Sequence, residues 1–139
     1  MNIQRLRQQL IKHEGIEYKL YKCTSDKWTI GVGKNLSDRG ISHETAMQML
    51  DEDIDICINE LQQTISYWND LPSRVKEGLI NLCFNMGISR LMAFKRTFGF
   101  LREGMYDKAA DELLESRYAN QVGQRAIDVA NMIREGANN

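Results

Sequence analysis

The sequence predicts an α+β fold with a small β-hairpin lobe and a larger, mainly helical lobe. Apolar residues recur every three or four positions at the N-terminus and again through most of the chain after residue 42. Between these regions, apolar residues at positions 28, 30 and 32 alternate with Thr or Gly, which is the period of a β-strand. A helix, a hairpin and then many helices are typical of an α+β domain whose small sheet lies apart from its helices.

An apolar stripe predicts the first helix, and a glycine predicts its end. The stripe consists of Ile3, Leu6, Leu10 and Ile11. The helix should end near Glu14, because Gly15 favours a helix terminus. Alternation over residues 16–20 and 28–32 then predicts two short antiparallel strands, since the polar run 23–27 between them is typical of a turn.

The longest predicted helix begins after Ser42, whose hydroxyl suits an N-cap. Its apolar stripe consists of Ala46, Leu50, Ile54, Cys57, Leu61 and Ile65. A second long helix should have Pro72 at its first position and end before Gly87. Its predicted inward residues are Val75, Leu79, Leu82, Cys83 and Met86. Shorter helices are predicted over 94–103, 106–115 and 121–134.

Composition and charge exclude several classes of protein. The 139 residues are 42% hydrophobic and 27% charged with a net charge of −1, which is typical of one globular domain and not of a basic nucleic-acid-binding protein. No apolar run is long enough to cross a bilayer, and the N-terminus lacks the apolar core of a signal peptide. The three cysteines form no C-x-x-C motif, so we expect no disulfide framework and no metal site. We also expect no cofactor, and folding in a reducing cytoplasm.

Three residues near the start of the chain are candidates for chemistry. Glu14 should end the first helix at the entry to the hairpin, where a partly buried carboxyl group would suit a general acid. Cys23 and Thr29 lie in or beside the predicted hairpin turn. Taken alone, each residue has a simpler interpretation: a solvated glutamate, a small unreactive cysteine and a strand-forming threonine.

Three separated blocks of sequence carry a family resemblance. In the first, Glu14, eight residues, Cys23, five residues and Thr29 lead into Thr-Ile-Gly-Val-Gly over 29–33. The second is Leu-Ile-Asn-Leu-Cys-Phe-Asn-Met-Gly over 79–87. The third consists of Ser116, Arg117, Tyr118, Asn120, Gln121 and Arg125. In this order the blocks resemble the phage-type lysozymes, the endolysins of glycoside hydrolase family 24.

The resemblance covers most of the chain and implies a single lysozyme-like domain over 1–139. Its hairpin lobe would span about 14–41, and its helical lobe about 66–139 together with the N-terminal helix, with the long helix joining the two lobes. The resemblance also implies an enzyme that hydrolyses the β-1,4 bond between N-acetylmuramic acid and N-acetylglucosamine in peptidoglycan, with inversion at the anomeric carbon.

The same resemblance assigns roles to the three candidates. Glu14 would protonate the leaving oxygen, while Cys23 and Thr29 would hold and activate a water molecule. The family commonly has Asp in place of Cys23, and an ordinary thiol, with a pKa of about 8.5, is mostly protonated at neutral pH. Lys22 and Lys27 would lower that pKa if they lie close to the sulfur. Cys23 is thus a thiolate base, a group that positions the water, or a nucleophile that forms a thioglycosyl intermediate, and we favour the first two.

The resemblance also implies supporting residues. Arg125 corresponds to an arginine that pairs with the catalytic glutamate. Lys34 stands where the family often has histidine, and we expect it to pair with Asp53 on the long helix. The residues expected to line the sugar-binding cleft are Phe84, Leu36 and Thr97.

The expected partners are peptidoglycan glycan strands and a separate membrane pore-former, a holin. We expect a monomer that binds no nucleic acid. Without a signal peptide, the protein should accumulate in the cytoplasm of the host bacterium until lysis, and then act on the wall. Two alternative functions stay open: a lysozyme-shaped module that binds glycan or protein without cleaving, and a lytic transglycosylase that leaves an anhydro sugar.

Overall fold

The protein has the predicted α+β fold, with an antiparallel sheet near the N-terminus and a mainly helical remainder. The computed structural model describes residues 1–138. The chain divides into two compact units, one of residues 1–48 and one that begins at Met49. The boundary falls within the longest helix, which therefore contributes residues to both units.

The first unit holds a helix, a three-stranded sheet and a short second helix. Its elements are α1 (Ile3–Glu14), β1 (Glu17–Lys22), β2 (Trp28–Gly31), β3 (Lys34–Asn35), α2 (Leu36–Arg39) and the first residues of α3 (His43–Thr64). The side chain of Asn2 caps α1 by accepting a hydrogen bond from the backbone N–H of Arg5 at 2.9 Å. Gly15, with a φ of 75°, ends α1 where the sequence predicts, because glycine adopts this left-handed conformation at little cost.

The sheet has three antiparallel strands in the order β1-β2-β3. Lys22 pairs with Trp28, so the predicted hairpin is confirmed. The third strand adds to the predicted hairpin, and in it Asn35 pairs with Thr29. A strand of two residues contains no alternation, which is why the sequence pattern does not reveal it.

The second unit consists of most of α3 and six further helices. These are α4 (Ser73–Met86), α5 (Ile88–Leu91), α6 (Lys95–Arg102), α7 (Tyr106–Leu114), α8 (Arg117–Val122) and α9 (Gln124–Glu135). Short 3-10 turns span Trp68–Asp70 and Gly136–Asn138. Within residues 1–138, every helix is too short or too polar to cross a membrane.

The two longest helices form where predicted, but only α4 buries the whole of its predicted apolar face. The Ser42 hydroxyl caps α3 by accepting a hydrogen bond from the backbone N–H of Thr45 at 3.1 Å. Within α3, only Cys57 and Leu61 of the predicted apolar stripe are buried. All five residues predicted to face inward from α4 are buried. The sequence predicts Pro72 to be the first helical residue of α4. It is instead the N-cap, and the helix begins one residue later, at Ser73.

The predicted helix over 121–134 is wrong at its start. The chain forms α8 and α9 instead, separated by Gly123, whose φ is 63°. A left-handed residue interrupts the helical backbone, and glycine permits this conformation because it has no side chain. An isolated glycine is also tolerated inside a continuous helix, so periodicity alone does not reveal the break.

The core of the second unit forms where α9 packs against α4 and α7. Helices α4 and α9 lie close together because Gly78 has no side chain: a Cβ there would be 3.4 Å from Cγ1 of Val129. The side chains of the core with at most 1% exposure include Leu61, Leu79, Leu82, Leu113 and Ile133. Removal of this apolar surface from water is the dominant favourable contribution to folding.

Gly136→Ala is expected to lower the free energy of unfolding by about 1–3 kcal/mol, because the new methyl group overfills the core. A Cβ at Gly136 would lie 2.6 Å from Cγ2 of Val75, which is fully buried. Gly99→Ala is the matched control, because a Cβ within α6 meets nothing within 4 Å. Urea unfolding of both variants checks this prediction, and equal midpoints for Gly136→Ala and the wild type would contradict it.

Candidate active site

Glu14 is the last residue of α1, and its exposed side chain lies against the turn between β2 and β3. A Cβ at Gly33 would lie 3.0 Å from Oε2 of Glu14. Gly33 also has a φ of 62°, so both space and backbone conformation favour glycine there. Both residues line an open groove of about 500 Å³ whose other lining is mainly the apolar side chains of α1. The partial burial expected for Glu14 is wrong: the residue is exposed, and its carboxyl group lies at the edge of this groove against the backbone of Gly33.

Cys23 and Thr29 lie together where β1 leads into β2. The Thr29 hydroxyl donates a hydrogen bond to the backbone carbonyl of Lys27 at 2.9 Å, and the residue is only 3% exposed. The Thr29 side chain is also close enough to the Cys23 thiol to lower its pKa by hydrogen bonding. Because a hydroxyl has one proton, Thr29 cannot donate to the Lys27 carbonyl and to the Cys23 thiolate at the same time. Donation to the thiolate requires the hydroxyl to rotate away from that carbonyl.

The pKa of the Cys23 thiol is lowered from its ordinary value. The largest causes are hydrogen bonds from the backbone N–H groups of Lys27 and then Ser25, which stabilise the thiolate. Burial opposes this shift, and the Thr29 hydroxyl makes a smaller contribution in the same direction as the amides. The turn therefore favours the ionised form of the one partly exposed cysteine among residues 1–138.

The two lysines expected to lower this pKa by their charge are instead paired with acids. Nζ of Lys22 lies 3.4 Å from Oδ1 of Asp26, and Nζ of Lys27 lies 3.2 Å from Oδ1 of Asp38. Lys27 does lower the pKa of the thiol, but through its backbone N–H. Hydrogen bonding by the main chain thus replaces the predicted electrostatic effect.

The other candidates of the first unit lie on or after β3. Lys34 is exposed and pairs with Ile30 in the sheet, and Leu36 is the half-buried first residue of α2. Asp53, the expected partner of Lys34, is an exposed residue of α3 in the second unit. The Lys34–Asp53 pair stays a prediction.

Within the second unit, Phe84 and Arg125 line one open, mainly apolar cavity of about 420 Å³. Phe84 is 45% exposed, although it belongs to the buried helix α4. Nε of Arg125 donates a hydrogen bond to Oδ1 of Asn81 at 2.9 Å. Sequence reasoning did not single out Asn81, whose signal is an amide on an otherwise apolar helix. Pairing of Arg125 with Glu14 stays a prediction.

Thr97 lies in a different part of the second unit from Phe84. It is a 4% exposed residue of α6 and lines a separate cavity of about 310 Å³. Two of the residues expected to bind sugar therefore line different cavities. Within residues 1–138, the acidic, histidine and cysteine side chains form no group of three that is placed to hold a metal ion.

Alkylation of the folded protein is expected to modify Cys23 and to spare the other two cysteines. Cys57 and Cys83 are buried, at 6% and 3% exposure, and burial together with the adjacent Cys57 raises the pKa of Cys83 to about 12. The thiolate is the nucleophile in alkylation, so Cys83 stays unreactive near pH 8. Peptide mass spectrometry after iodoacetamide treatment checks this, with urea-unfolded protein as the control in which all three react. Labelling of Cys83 in the folded protein would contradict it.

Comparison with known proteins agrees with this architecture. The family model described as phage lysozyme matches residues 11–131, which include Glu14, Cys23 and Thr29. A "Probable T4-type lysozyme 2" of Dictyostelium discoideum is 24% identical, with 94% of each chain covered. A "Probable T4-type lysozyme 1" of the same organism is 23% identical, with 91% of each chain covered.

The fold and these matches define a glycoside hydrolase of the lysozyme type. The chain belongs to the phage lysozyme family, to which nearly its whole length matches. Membership in this family implies a muramidase whose substrate is peptidoglycan.

Proposed function

We propose that the protein is an endolysin that hydrolyses the β-1,4 bond between N-acetylmuramic acid and N-acetylglucosamine. The observation that carries this proposal is the placement of three side chains around β2: Oε2 of Glu14 lies 3.0 Å from where a Cβ of Gly33 would be, and Cys23 lies in the turn that leads into Thr29. Thr29 lies near the start of β2, and Glu14 lies against the turn that follows the same strand. One short strand therefore connects the proposed acid to the proposed water-activating pair.

In the proposed reaction, Glu14 donates its proton to the glycosidic oxygen as the bond to the anomeric carbon breaks. A water molecule attacks the anomeric carbon from the opposite face and transfers a proton to the Cys23 thiolate. The Thr29 hydroxyl, freed from the Lys27 carbonyl, orients that water or the thiolate. The negative charge of the thiolate also stabilises the oxocarbenium-like transition state.

The role of Cys23 decides the configuration of the product. A base or a water-positioning group leads to inversion, whereas a sulfur nucleophile gives a thioglycosyl intermediate and retention. We favour inversion because the backbone amides and Thr29 already engage the sulfur. An NMR time course of the anomeric proton separates the two mechanisms.

Digestion of purified peptidoglycan, followed by mass spectrometry of the released muropeptides, tests the proposed function. A hydrated N-acetylmuramic acid reducing end is the expected product. An anhydro end would identify a lytic transglycosylase, and intact glycan would identify a module that binds without cleaving. Heat-denatured protein serves as the control for contaminating hydrolases.

We propose that some of the supporting residues form ion pairs and that the others contact the sugar. Arg125 would pair with Glu14 and orient its carboxyl group, and Lys34 would pair with Asp53. Phe84 offers an exposed aromatic face for a sugar ring. We further propose Leu36 and Thr97 as sugar-contacting residues, and a monomer as the active form.

The endolysin role implies that the protein waits in the host cytoplasm and reaches the wall through pores made by a separate holin. With a net charge of −1, it has little electrostatic attraction to an anionic wall. Expression in a bacterium with and without a membrane pore-former tests this role. Lysis only in the presence of the pore-former is the expected result, and lysis without it would contradict the proposed partner.

Gly33→Ala is expected to lower activity more than Gly31→Ala. Both glycines are left-handed, with φ of 62° and 67°, so either substitution costs about 1–2 kcal/mol of backbone strain. Only the methyl group at Gly33 also lies against Oε2 of Glu14, at 3.0 Å, and displaces the proposed acid. The kcat values of the two folded variants check this, and equal losses would show that contact with Glu14 does not matter.

A further inference from the structure

Asp26 has an unusual backbone conformation in the turn between β1 and β2. Its φ is 61°, and it is the one non-glycine residue with a positive φ within residues 1–138. Residues with a Cβ rarely adopt this left-handed conformation, and aspartate is among the few that tolerate it. At this position the backbone conformation itself therefore requires an explanation.

Backbone hydrogen bonds show that Asp26 closes a three-residue turn between Cys23 and Lys27. The backbone N–H of Asp26 donates to the carbonyl of Cys23 at 2.9 Å, and the N–H of Cys23 donates to the carbonyl of Lys27 at 3.0 Å. This is the pattern of a three-residue hairpin loop, in which a type I turn is followed by a left-handed residue. Reversal of the chain at Asp26 thus determines how the peptide groups of Lys27 are oriented.

Peptide groups of this turn, at Lys27 and Ser25, act on the sulfur of Cys23. Hydrogen bonding by the N–H groups of Lys27 and Ser25 lowers the pKa of the thiol, and the Lys27 carbonyl accepts a hydrogen bond from the Thr29 hydroxyl at 2.9 Å. We propose that Asp26 is a positioning residue: its left-handed backbone holds the turn in the form that presents both amides to Cys23. This inference rests on the proposed function only in giving the sulfur a catalytic use.

The side chain of Asp26 is a less important part of this arrangement. Its carboxylate lies 3.4 Å from Nζ of Lys22, in a pair whose aspartate side chain is 83% exposed, and exposed ion pairs contribute little. Lys22 also lies 4.9 Å from the centre of the Trp28 ring, and Lys27 is paired with Asp38. The charged groups of the turn and Lys22 at the end of β1 are thus partnered, and the sulfur responds mainly to the main chain.

Four variants of the full chain separate the effect of the backbone conformation at Asp26 from the effect of its negative charge. Asp26→Asn and Asp26→Gly remove the carboxylate and keep access to the left-handed region, whereas Asp26→Ala and Asp26→Val disfavour that region. Thr24→Ala, at an exposed residue of the same turn, is the control. The rate of iodoacetamide modification of Cys23 is measured against pH, with peptide mass spectrometry to identify the site and circular dichroism to verify folding.

The Asn, Gly and Thr24→Ala variants are expected to titrate like the wild type. In Asp26→Ala and Asp26→Val, the pKa of the thiol should rise toward an ordinary value of about 8.5, with slower modification at pH 7. Asp26→Ala introduces the smaller side chain, so it still tests the role of the backbone conformation if Asp26→Val does not fold. Wild-type titration in folded Asp26→Ala, or a raised thiol pKa in Asp26→Asn, would overturn the inference. A raised thiol pKa in Asp26→Ala together with unchanged muramidase activity would support the positioning role of Asp26. It would reject only the catalytic use of Cys23.

Discussion

Glu14→Gln is expected to reduce kcat/KM on peptidoglycan by roughly 10²–10⁴-fold, the range for loss of a general acid. The amide has almost the shape of the carboxyl group and can keep its place against Gly33, but it has no proton to donate to the leaving oxygen. The variant should therefore fold normally and still bind glycan. Turbidity loss of a wall suspension and a glycan pull-down measure the two properties separately.

Glu17→Gln is the matched control for this prediction. Glu17 is an exposed carboxylate at the start of β1, three residues after Glu14, and pairs with Gly31 through its backbone. Its substitution should leave activity unchanged, because its side chain has no proposed role. Wild-type activity in Glu14→Gln would remove this residue from the mechanism and with it the proposed acid.

Cys23→Ala is the second substitution with a large expected effect, a loss of roughly 10²–10⁴-fold if the sulfur is the base. Cys23→Asp should restore most of the activity, because a carboxylate can also accept a proton from water and hydrogen bonds from the Ser25 and Lys27 amides. The two variants together separate a requirement for a base from a requirement for sulfur. Thr24→Ala controls for general disturbance of the turn.

The pH dependence of activity gives an independent test of the same role. The base works only when deprotonated, so wild-type activity should rise with pH through the pKa of the Cys23 thiol, which the backbone amides lower. An aspartate has an ordinary pKa of about 3.9, so the rise should move to lower pH in Cys23→Asp. An unmoved acidic limb would mean that another group controls the rise, and full activity of Cys23→Ala would exclude the sulfur altogether.

Several helices of this protein could be predicted because the signals that define them are local. The apolar stripe of α1, the cap at Ser42 and the inward face of α4 each involve residues a few positions apart. Helical period and capping are properties of such short segments, so they appear directly in the sequence. The strand β3 and the break at Gly123 were not predictable, because a two-residue strand has no period and a glycine is compatible with either a helix or its end.

The sequence by itself determined the α+β class and the spacing of Glu14, Cys23 and Thr29 along a single stretch of chain. Only the tertiary structure decided how the thiol is stabilised and what Arg125 contacts, since Asn81 lies 44 positions away from it. The physical reason is that hydrogen bonds depend on the direction of main-chain groups. That direction is set by dihedral angles such as the φ of 61° at Asp26, which no pattern of residue types specifies.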